Sequence, residues 1–516
     1  MSQPHPCLPS PWASDADWQQ DPAPPIIWSV AGTDSGGGAG LSADQRAVAA
    51  LGVHLCPVVA AVTAQHSRGV LAVHALTRAE IDSQLGALAA DLRPRVIKTG
   101  LLASVDAVEA VARTVDALRR DGRVDLVVDP VLGASAGGAA FADAALIAAY
   151  RELLLPRATL VTPNRREAER LLGVAPQALS EPQLAAALRE QHGVQAVCIT
   201  GGDSPAPAAQ DLALDWLASE LADGWLSLPR LPSTHHHGSG CCFASAAAAA
   251  LARGYPLPDA VLLAKMLSWT AVRDGYAAGA GAGPVRPNPD FLQDPSAMPV
   301  MGFGDEFAPA RWGQVLRGEL PPADFRPGLY AITEDAGRVA ELASGVRFSQ
   351  IQLRIKQADA AVPLRGAIEQ ALRGAQQGRA RLWINDHWQL ALDCGARALH
   401  LGQEDWAALP AAARARLLQP DVRLGISSHS LWELARARSL APHYIACGPL
   451  WATSTKQMPW QPQGLDNLAW WVRMAGRPVA GIGGITTRER LQAAQASGAA
   501  ALCLVRGLEL AEDLQR

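Results

Sequence analysis

A chain of 516 residues that is 49% hydrophobic and 18% charged has material for roughly two to four domain-sized cores, which excludes the disordered and fibrous classes. Its formal charge of −4 contains no sustained run of one sign, which argues against nucleic acid or an anionic membrane as a partner. Eight scattered cysteines with no C-x-x-C pair, and no leader-like segment, point to a reduced, cytoplasmic setting.

Residues 1–25 are rich in Pro, Asp, Gln and Ser and read as a mobile arm. The first strand is expected at Ile26–Val30, running into the glycine-rich turn Gly32-Thr33-Asp34-Ser35-Gly36-Gly37-Gly38-Ala39-Gly40 and a helix from Leu41. Strand-like runs at Val58–Thr63, Val96–Thr99, Leu126–Asp129, Thr159–Thr162 and Ala196–Thr200 alternate with helix-like segments. That alternation predicts a mainly parallel sheet covered by helices. The pattern weakens between about Pro284 and Pro327, apart from a helical patch near Ala310–Arg317, and the linker is placed at 293–325. Eight further strands follow: Gly328–Thr333, Phe348–Arg354, Arg381–Asn385, Ala398–Gly402, Arg423–Ser427, Tyr444–Gly448, Val479–Gly483 and Ala501–Val505. Eight strands in βα alternation predict a (β/α)8 TIM barrel over 326–516, just under the usual minimum of ~200 residues, so its last helix must be short.

Only four of the 45 basic residues are lysine: Lys98, Lys265, Lys356 and Lys456. Each is a candidate for a position that needs a compact ammonium rather than a planar guanidinium. In the first half, Gly238-Ser239-Gly240-Cys241-Cys242 precedes an alanine-rich helix. Backbone amides of Gly238 and Gly240 at such a helix start can stabilise a transferring phosphoryl group, and the same field should lower the thiol pKa of Cys241. Asn164 and Glu167, at a strand end entering a helix, either organise Mg²⁺ beside phosphates or close a capping box. A metal site from His235–His237 and the two cysteines is disfavoured, because adjacent ligands seldom converge on one ion. In the second half, Gln352, Arg354 and Lys356 alternate at a strand end and suit a polyanion if the extended backbone persists. Asp386 and Asp405 follow neighbouring strands and are placed to share one Mg²⁺. Ser427, Thr453, Thr455, Lys456 and Gly484 supply the hydroxyls, ammonium and amides of a phosphate cup.

The motifs Ala31–Asp44, Thr63-Ala64-Gln65, Ile97-Lys98-Thr99-Gly100, Val128-Asp129-Pro130-Val131, Asn164–Glu167, Gly201-Gly202, Gly238–Cys241 and Gly279–Val285 together resemble the hydroxymethylpyrimidine/hydroxymethylpyrimidine-phosphate kinases of the ribokinase superfamily. The resemblance covers about Ile26 to Phe291, and the kinase domain is taken as 26–292. It implies a three-layer α/β/α fold and two ATP·Mg²⁺-dependent phosphorylations of one pyrimidine. It also implies Cys241 as the catalytic base, Asp44 and Gln65 as pyrimidine contacts, and Asn164 with Glu167 as the Mg²⁺–phosphate motif. From Arg326 to about Gly507, Gln-Leu-Arg-x-Lys, Ile-Asn-Asp, His-Leu-Gly-Gln-Glu-Asp and Thr-x-Thr-Lys resemble thiamine-phosphate synthase. That family joins hydroxymethylpyrimidine diphosphate to thiazole phosphate by a dissociative route. The resemblance implies Mg²⁺ on Asp386 and Asp405, with Gln352, Arg354, Lys356, Asn385, Ser427 and Lys456 on the pyrimidine diphosphate. It places Thr453, Thr455, Gly484 and the end of the last strand on the thiazole phosphate. There the sequence departs: Val505 is followed by Arg506 where the family carries serine. A pyridoxal-type kinase fused to a thiazole tautomerase-like or non-catalytic precursor-binding barrel stays open as an alternative, as does assembly into a homo-oligomer.

Overall fold

The computed structural model describes residues 23–133, 142–202, 211–345, 347–356, 361–452 and 462–513. The chain divides into two compact units at Leu316/Arg317. In the first, strands β1 (Ile26–Gly32), β2 (His54–His66), β3 (Gly69–Ala75), β4 (Val96–Thr99), β5 (Asp125–Val128), β6 (Leu160–Val161), β7 (Val197–Ile199), β8 (Leu212–Ala218), β9 (Gly224–Pro229) and β10 (Val300–Met301) form one sheet. Its order is β10-β9-β8-β7-β6-β5-β4-β1-β2-β3. The central strands β2 to β7 pair in parallel, while β3 and β8–β10 extend the two edges antiparallel. The predicted parallel core is therefore present, with antiparallel edges that its alternation did not signal.

Strand order decides where a ligand can sit. The chain leaves β1 to one side for β2 and then crosses to the other side for β4, so β1 is the switch point of the sheet. Crevices open beyond the carboxyl ends of strands at such points. The glycine-rich turn 32–40 occupies that position. Beneath it, Trp28, Val30, Ile97, Leu126 and Val128 are buried in the main core. Half of the residues of the helix Ser239–Ala252 are alanine, and it is buried over most of its length. Small side chains let it lie close against the sheet and the helix Leu257–Arg273, and this positions its N-terminus rigidly.

The stretch expected to be linker, 293–325, is folded. β10 adds to β9 at the sheet edge, and Trp312 on the helix Pro309–Leu316 is fully buried against Leu212 and Val300. On the other side of the unit boundary, the Asp324 carboxylate takes Arg381 at 2.9 Å and Arg423 at 2.8 Å. Pro, Gly and Asp density reads as linker in sequence, but burial of one tryptophan is enough to fix such a segment.

In the second unit, β11 (Gly328–Thr333), β12 (Phe348–Leu353), β13 (Arg381–Asn385), β14 (Ala398–Leu401), β15 (Arg423–Ser428), β16 (Tyr444–Cys447), β17 (Val479–Ile482) and β18 (Ala501–Leu504) close a parallel barrel in sequential order. All eight predicted strands are present, and the final helix is four residues long. The barrel is filled by Tyr330, Trp383, Tyr444, Ala480 and Cys503, with Phe325 among them. Among the described residues no helix is long and apolar enough to cross a membrane.

Candidate active sites

In the first unit the two glycine turns meet. Asp34 organises the first of them: its carboxylate accepts from the amides of Gly36, Gly38 and Ala39 at 2.8–2.9 Å. His237 Nε2 lies 3.0 Å from Asp34 Oδ2 and 3.2 Å from the Gln65 amide, joining the loop to the end of β2. Burial alone would push the Asp34 carboxyl up, but His237 and the amides of Ala39 and Gly36 hold it below its ordinary value. A side chain at Gly38 would collide with the His237 ring, and one at Gly238 (φ +85°) with the Gly38 carbonyl. Glycine is therefore required at both positions for the turns to close on each other.

Cys241 follows in the first turn of the helix, next to a buried charge cluster. Lys98 is fully buried, 2.9 Å from Asp44 Oδ1 and 3.9 Å from Asp129 Oδ2. Asp44 also accepts from Ser29 at 2.6 Å and Ser245 at 2.8 Å. These three bonds leave one acceptor site on Oδ2, but Asp44 is fully buried, so contact with a pyrimidine, as expected for it, would require the site to open. The thiol pKa of Cys241 departs from expectation: it is pushed up to about 12, not lowered. Burial is the main cause; Lys98 and the Gly40 amide oppose it, and the carboxylates of Asp44 and Asp129 reinforce it. Burial likewise raises Asp129 to about 6, and its Oδ2 has no hydrogen-bond partner. Cys242 is a buried packing residue. Asn164 and Glu167 form the capping box, each accepting the other's amide at 3.0 Å.

In the barrel, β12 ends at Leu353, so Arg354 and Lys356 lie just past the strand, where the Arg354 amide still donates to the Thr333 carbonyl at 2.9 Å. Gln352 points inward and is buried, donating to the Tyr330 hydroxyl at 3.2 Å. Arg354 is half-buried and acts electrostatically on both Asp386 and His400, while Lys356 is exposed. Asp386, just past β13, sits at φ +64°, and its amide donates to the His400 carbonyl at 3.0 Å. Its carboxyl is held above the ordinary range by burial and then by the charge of Asp405, against Arg354, His387 and a hydrogen bond from buried Asn385. Asp405 therefore lies close enough to Asp386 for its charge to be felt there. Gly484 (φ +74°) and Gly507 lie where the ends of β17 and β18 adjoin, and Val505 and Arg506 are exposed there. Thr453, Thr455 and Lys456 lie outside the described residues.

The family model for phosphomethylpyrimidine kinase matches residues 34–286, and that for thiamine monophosphate synthase matches 329–508. The thiamine biosynthetic bifunctional enzyme TH1 of Arabidopsis thaliana is 32% identical over 480 residues, which span 89% of this chain and 85% of the relative. This chain belongs to the bifunctional thiamine-biosynthesis enzymes. The hydroxymethylpyrimidine/phosphomethylpyrimidine kinase of Streptomyces coelicolor is 40% identical over 262 residues, 51% of this chain and 94% of that protein. Among solved structures, a pyridoxal kinase from Staphylococcus aureus in complex with ADP aligns at 27% identity, covering 51% of this chain and 94% of its own, with a TM-score of 0.46.

This bifunctional thiamine-biosynthesis enzyme thus carries a kinase followed by a thiamine-phosphate synthase. Its sites contain residues that sequence reasoning passed over. Asp34 had a legible signal, since an aspartate opening a Ser-Gly-Gly run is a turn former that bonds amides two residues on. His237 was considered only as a metal ligand; among the described residues no cluster of three or more metal-ligating side chains occurs. Tyr330, His400 and Tyr444, buried inside barrel strands, gave no signal of their own.

Proposed function

We propose that the kinase unit phosphorylates hydroxymethylpyrimidine and then its monophosphate with ATP, and that the barrel joins the resulting diphosphate to thiazole phosphate, releasing diphosphate. The observation that carries this reading is the pairing of two sites in one chain, the second lined by cations and paired carboxylates that suit the diphosphate made by the first.

In the kinase unit the amides of Gly238 and Gly240 at the helix N-terminus stabilise the transferring phosphoryl group. Cys241 takes the hydroxyl proton, and Gln65 orients the ring with Asp44 beneath it. Mg²⁺ is assigned beside Asn164 and Glu167; the Glu167 and Asp129 carboxylates both act electrostatically on Tyr150, and Asp129 Oδ2 has no hydrogen-bond partner, which suits oxygen ligation of a hard cation. In the barrel the same cation fits Asp386 and Asp405. Asp386 and Asp405 would hold it there, and it would supply positive charge to offset that of the leaving diphosphate. Gln352, Arg354, Lys356, Asn385, Ser427 and Lys456 hold the pyrimidine diphosphate; Thr453, Thr455, Gly484, Val505 and Arg506 hold the thiazole phosphate. Both reactions are assigned to a reduced cytoplasmic setting, in keeping with the seven free cysteines among the described residues.

A single-tube assay with pyrimidine alcohol, ATP, Mg²⁺ and thiazole phosphate should yield thiamine phosphate. Product only when pyrimidine diphosphate is supplied would remove the kinase step; no product even then would remove the synthase step.

Arg506 tests the thiazole-phosphate end. A guanidinium at the mouth of the last strand supplies a charge-assisted bond in place of the family hydroxyl. Such a bond is worth about 1.5–3 kcal/mol, so Arg506→Ala should raise KM for thiazole phosphate roughly 10- to 150-fold, well beyond its effect on pyrimidine diphosphate. Arg506→Ser should recover part of the loss. Steady-state kinetics with each substrate varied separately decides it; an unchanged thiazole-phosphate KM sinks the assignment.

A further inference from the structure

A continuous hydrogen-bonded chain crosses the barrel interior between two of the residues given to the pyrimidine diphosphate. Gln352 Nε2 lies 3.2 Å from Tyr330 Oη, which lies 2.8 Å from Tyr444 Oη. Tyr444 Oη lies 2.7 Å from His400 Nδ1, and His400 Nε2 lies 2.9 Å from Ser427 Oγ. Gln352, Tyr330, Tyr444 and His400 are all buried, and only Ser427 reaches the partly exposed mouth. The Tyr444 ring is held by Phe325 and Trp383 from outside the chain and stacks on His400 within it.

Counting hydrogens gives this chain a direction. The Gln352 amide donates to Tyr330, so the single Tyr330 hydrogen goes to Tyr444 and the Tyr444 hydrogen goes to His400 Nδ1. Because the buried ring accepts from Tyr444 at Nδ1, that nitrogen bears no hydrogen and the ring carries a single one. With Nδ1 accepting, that hydrogen is on Nε2 and is donated to Ser427 Oγ. The Ser427 hydroxyl hydrogen is then left for whatever occupies the mouth. Running the chain backwards with the Gln352 amide as it stands would strand the Tyr330 hydrogen without an acceptor in the buried interior, an arrangement proteins avoid. Reversal would require the amide to turn over, so the two ends switch together or not at all.

We infer that Tyr330, Tyr444 and His400 are positioning residues that make Ser427 a hydrogen-bond donor toward an acceptor on the pyrimidine diphosphate and lock its direction to that of the Gln352 amide. The acceptor is a ring nitrogen or a phosphate oxygen. The inference rests on the synthase reading of the barrel, and it adds three residues to which that reading gives no role.

The test is a double-mutant cycle in the full chain, assayed with supplied pyrimidine diphosphate and thiazole phosphate. Tyr444→Phe removes one hydroxyl and keeps the ring packing. Ser427→Ala and Tyr444→Phe should each raise KM for pyrimidine diphosphate about tenfold, with thiazole-phosphate KM unmoved. If Tyr444 acts through Ser427, the double variant should also lose about tenfold, because coupled residues are not additive. A loss of about a hundredfold in the double variant, the product of the singles, would overturn the inference. Competitive inhibition by inorganic diphosphate separates the acceptors: weakened in Tyr444→Phe, it indicates a phosphate oxygen; unchanged, a ring nitrogen. A second measurement needs no variant to be active. In the ligand-free, ¹⁵N-histidine-labelled protein, the His400 signal, identified by its absence in His400→Gln, should show a bare Nδ1 and a protonated Nε2. The opposite tautomer overturns the inference. No thiamine phosphate from the wild-type chain would defeat the synthase reading itself; turnover with an additive cycle would defeat only the chain of positioning residues.

Discussion

Cys241→Ala is expected to lower phosphorylation of the pyrimidine alcohol by roughly two to four orders of magnitude, the usual worth of a positioned base. Condensation of supplied pyrimidine diphosphate should be intact, because that chemistry is housed in the other unit. The environment of the thiol adds a sharper expectation. Burial pushes its pKa up to about 12, and Lys98 with the Gly40 amide only partly offsets this. Below its pKa the thiolate fraction grows tenfold per pH unit. Alcohol phosphorylation should therefore climb with pH from about 6 to about 9 without levelling, if the thiolate is the base. A loose phosphoryl-transfer transition state tolerates so scarce a base, since little proton transfer is needed before the bond to the leaving group weakens. Near-wild-type rates in Cys241→Ala would remove the sulfur from the chemistry. A plateau between about pH 7 and 8 that disappears in the variant would instead mean that bound nucleotide depresses the thiol.

The contrast between expected and observed thiol shows where sequence reading stops. The helix start and its field are local and could be read from Gly238-Ser239-Gly240. Desolvation is not local: it arises because the turn at Gly38 closes on Gly238, about two hundred residues away. The scarcity of lysine marked Lys98 and Lys265 correctly as special, but for a different physical reason. Both ammoniums form ion pairs in the dry interior, Lys98 with Asp44 and Lys265 with Asp215 at 2.8 Å. Their compactness serves the fold directly and substrate only at one remove.

The barrel strands were legible because each is a short apolar run that ends in polar functional residues, and the observed boundaries fall within a residue of the expected ones. The chain from Gln352 to Ser427 was not, because Tyr330, His400 and Tyr444 sit on three strands that come together only when the barrel closes. Register then sets Tyr330 beside Gln350 on one side and Cys503 on the other. No local pattern encodes that neighbourhood. The folded stretch at 293–316 was missed for a related reason: its anchor, Trp312, has its partners in strands more than seventy residues upstream or at the edge of the sheet.

Asp386→Asn and Asp405→Asn are expected to disable the synthase while leaving the kinase unchanged. Asparagine is nearly isosteric with aspartate and tolerates the positive φ of Asp386, so the hydrogen bond that the backbone N–H of residue 386 donates to the His400 carbonyl should survive. What is lost is one negative ligand for a hard cation. Removal of groups that merely support a metal ligand typically costs about 10- to 100-fold in affinity, and loss of a direct ligand should cost at least that much. Titration of activity with Mg²⁺ should shift by that factor in either variant, and direct binding of Mn²⁺ to the protein should weaken in parallel. The electrostatics supply a second, opposite signature. Asp405 raises the carboxyl of Asp386 by like-charge repulsion, so the metal-free protein holds two carboxylates that disfavour each other. Neutralising Asp405 relieves that repulsion. With chelator present, Asp405→Asn should melt at or above the wild-type temperature even though its synthase is impaired. Unchanged Mg²⁺ dependence in both variants would place the cation elsewhere, and a lowered melting temperature in chelator would show that Asp405 serves the fold before it serves a metal.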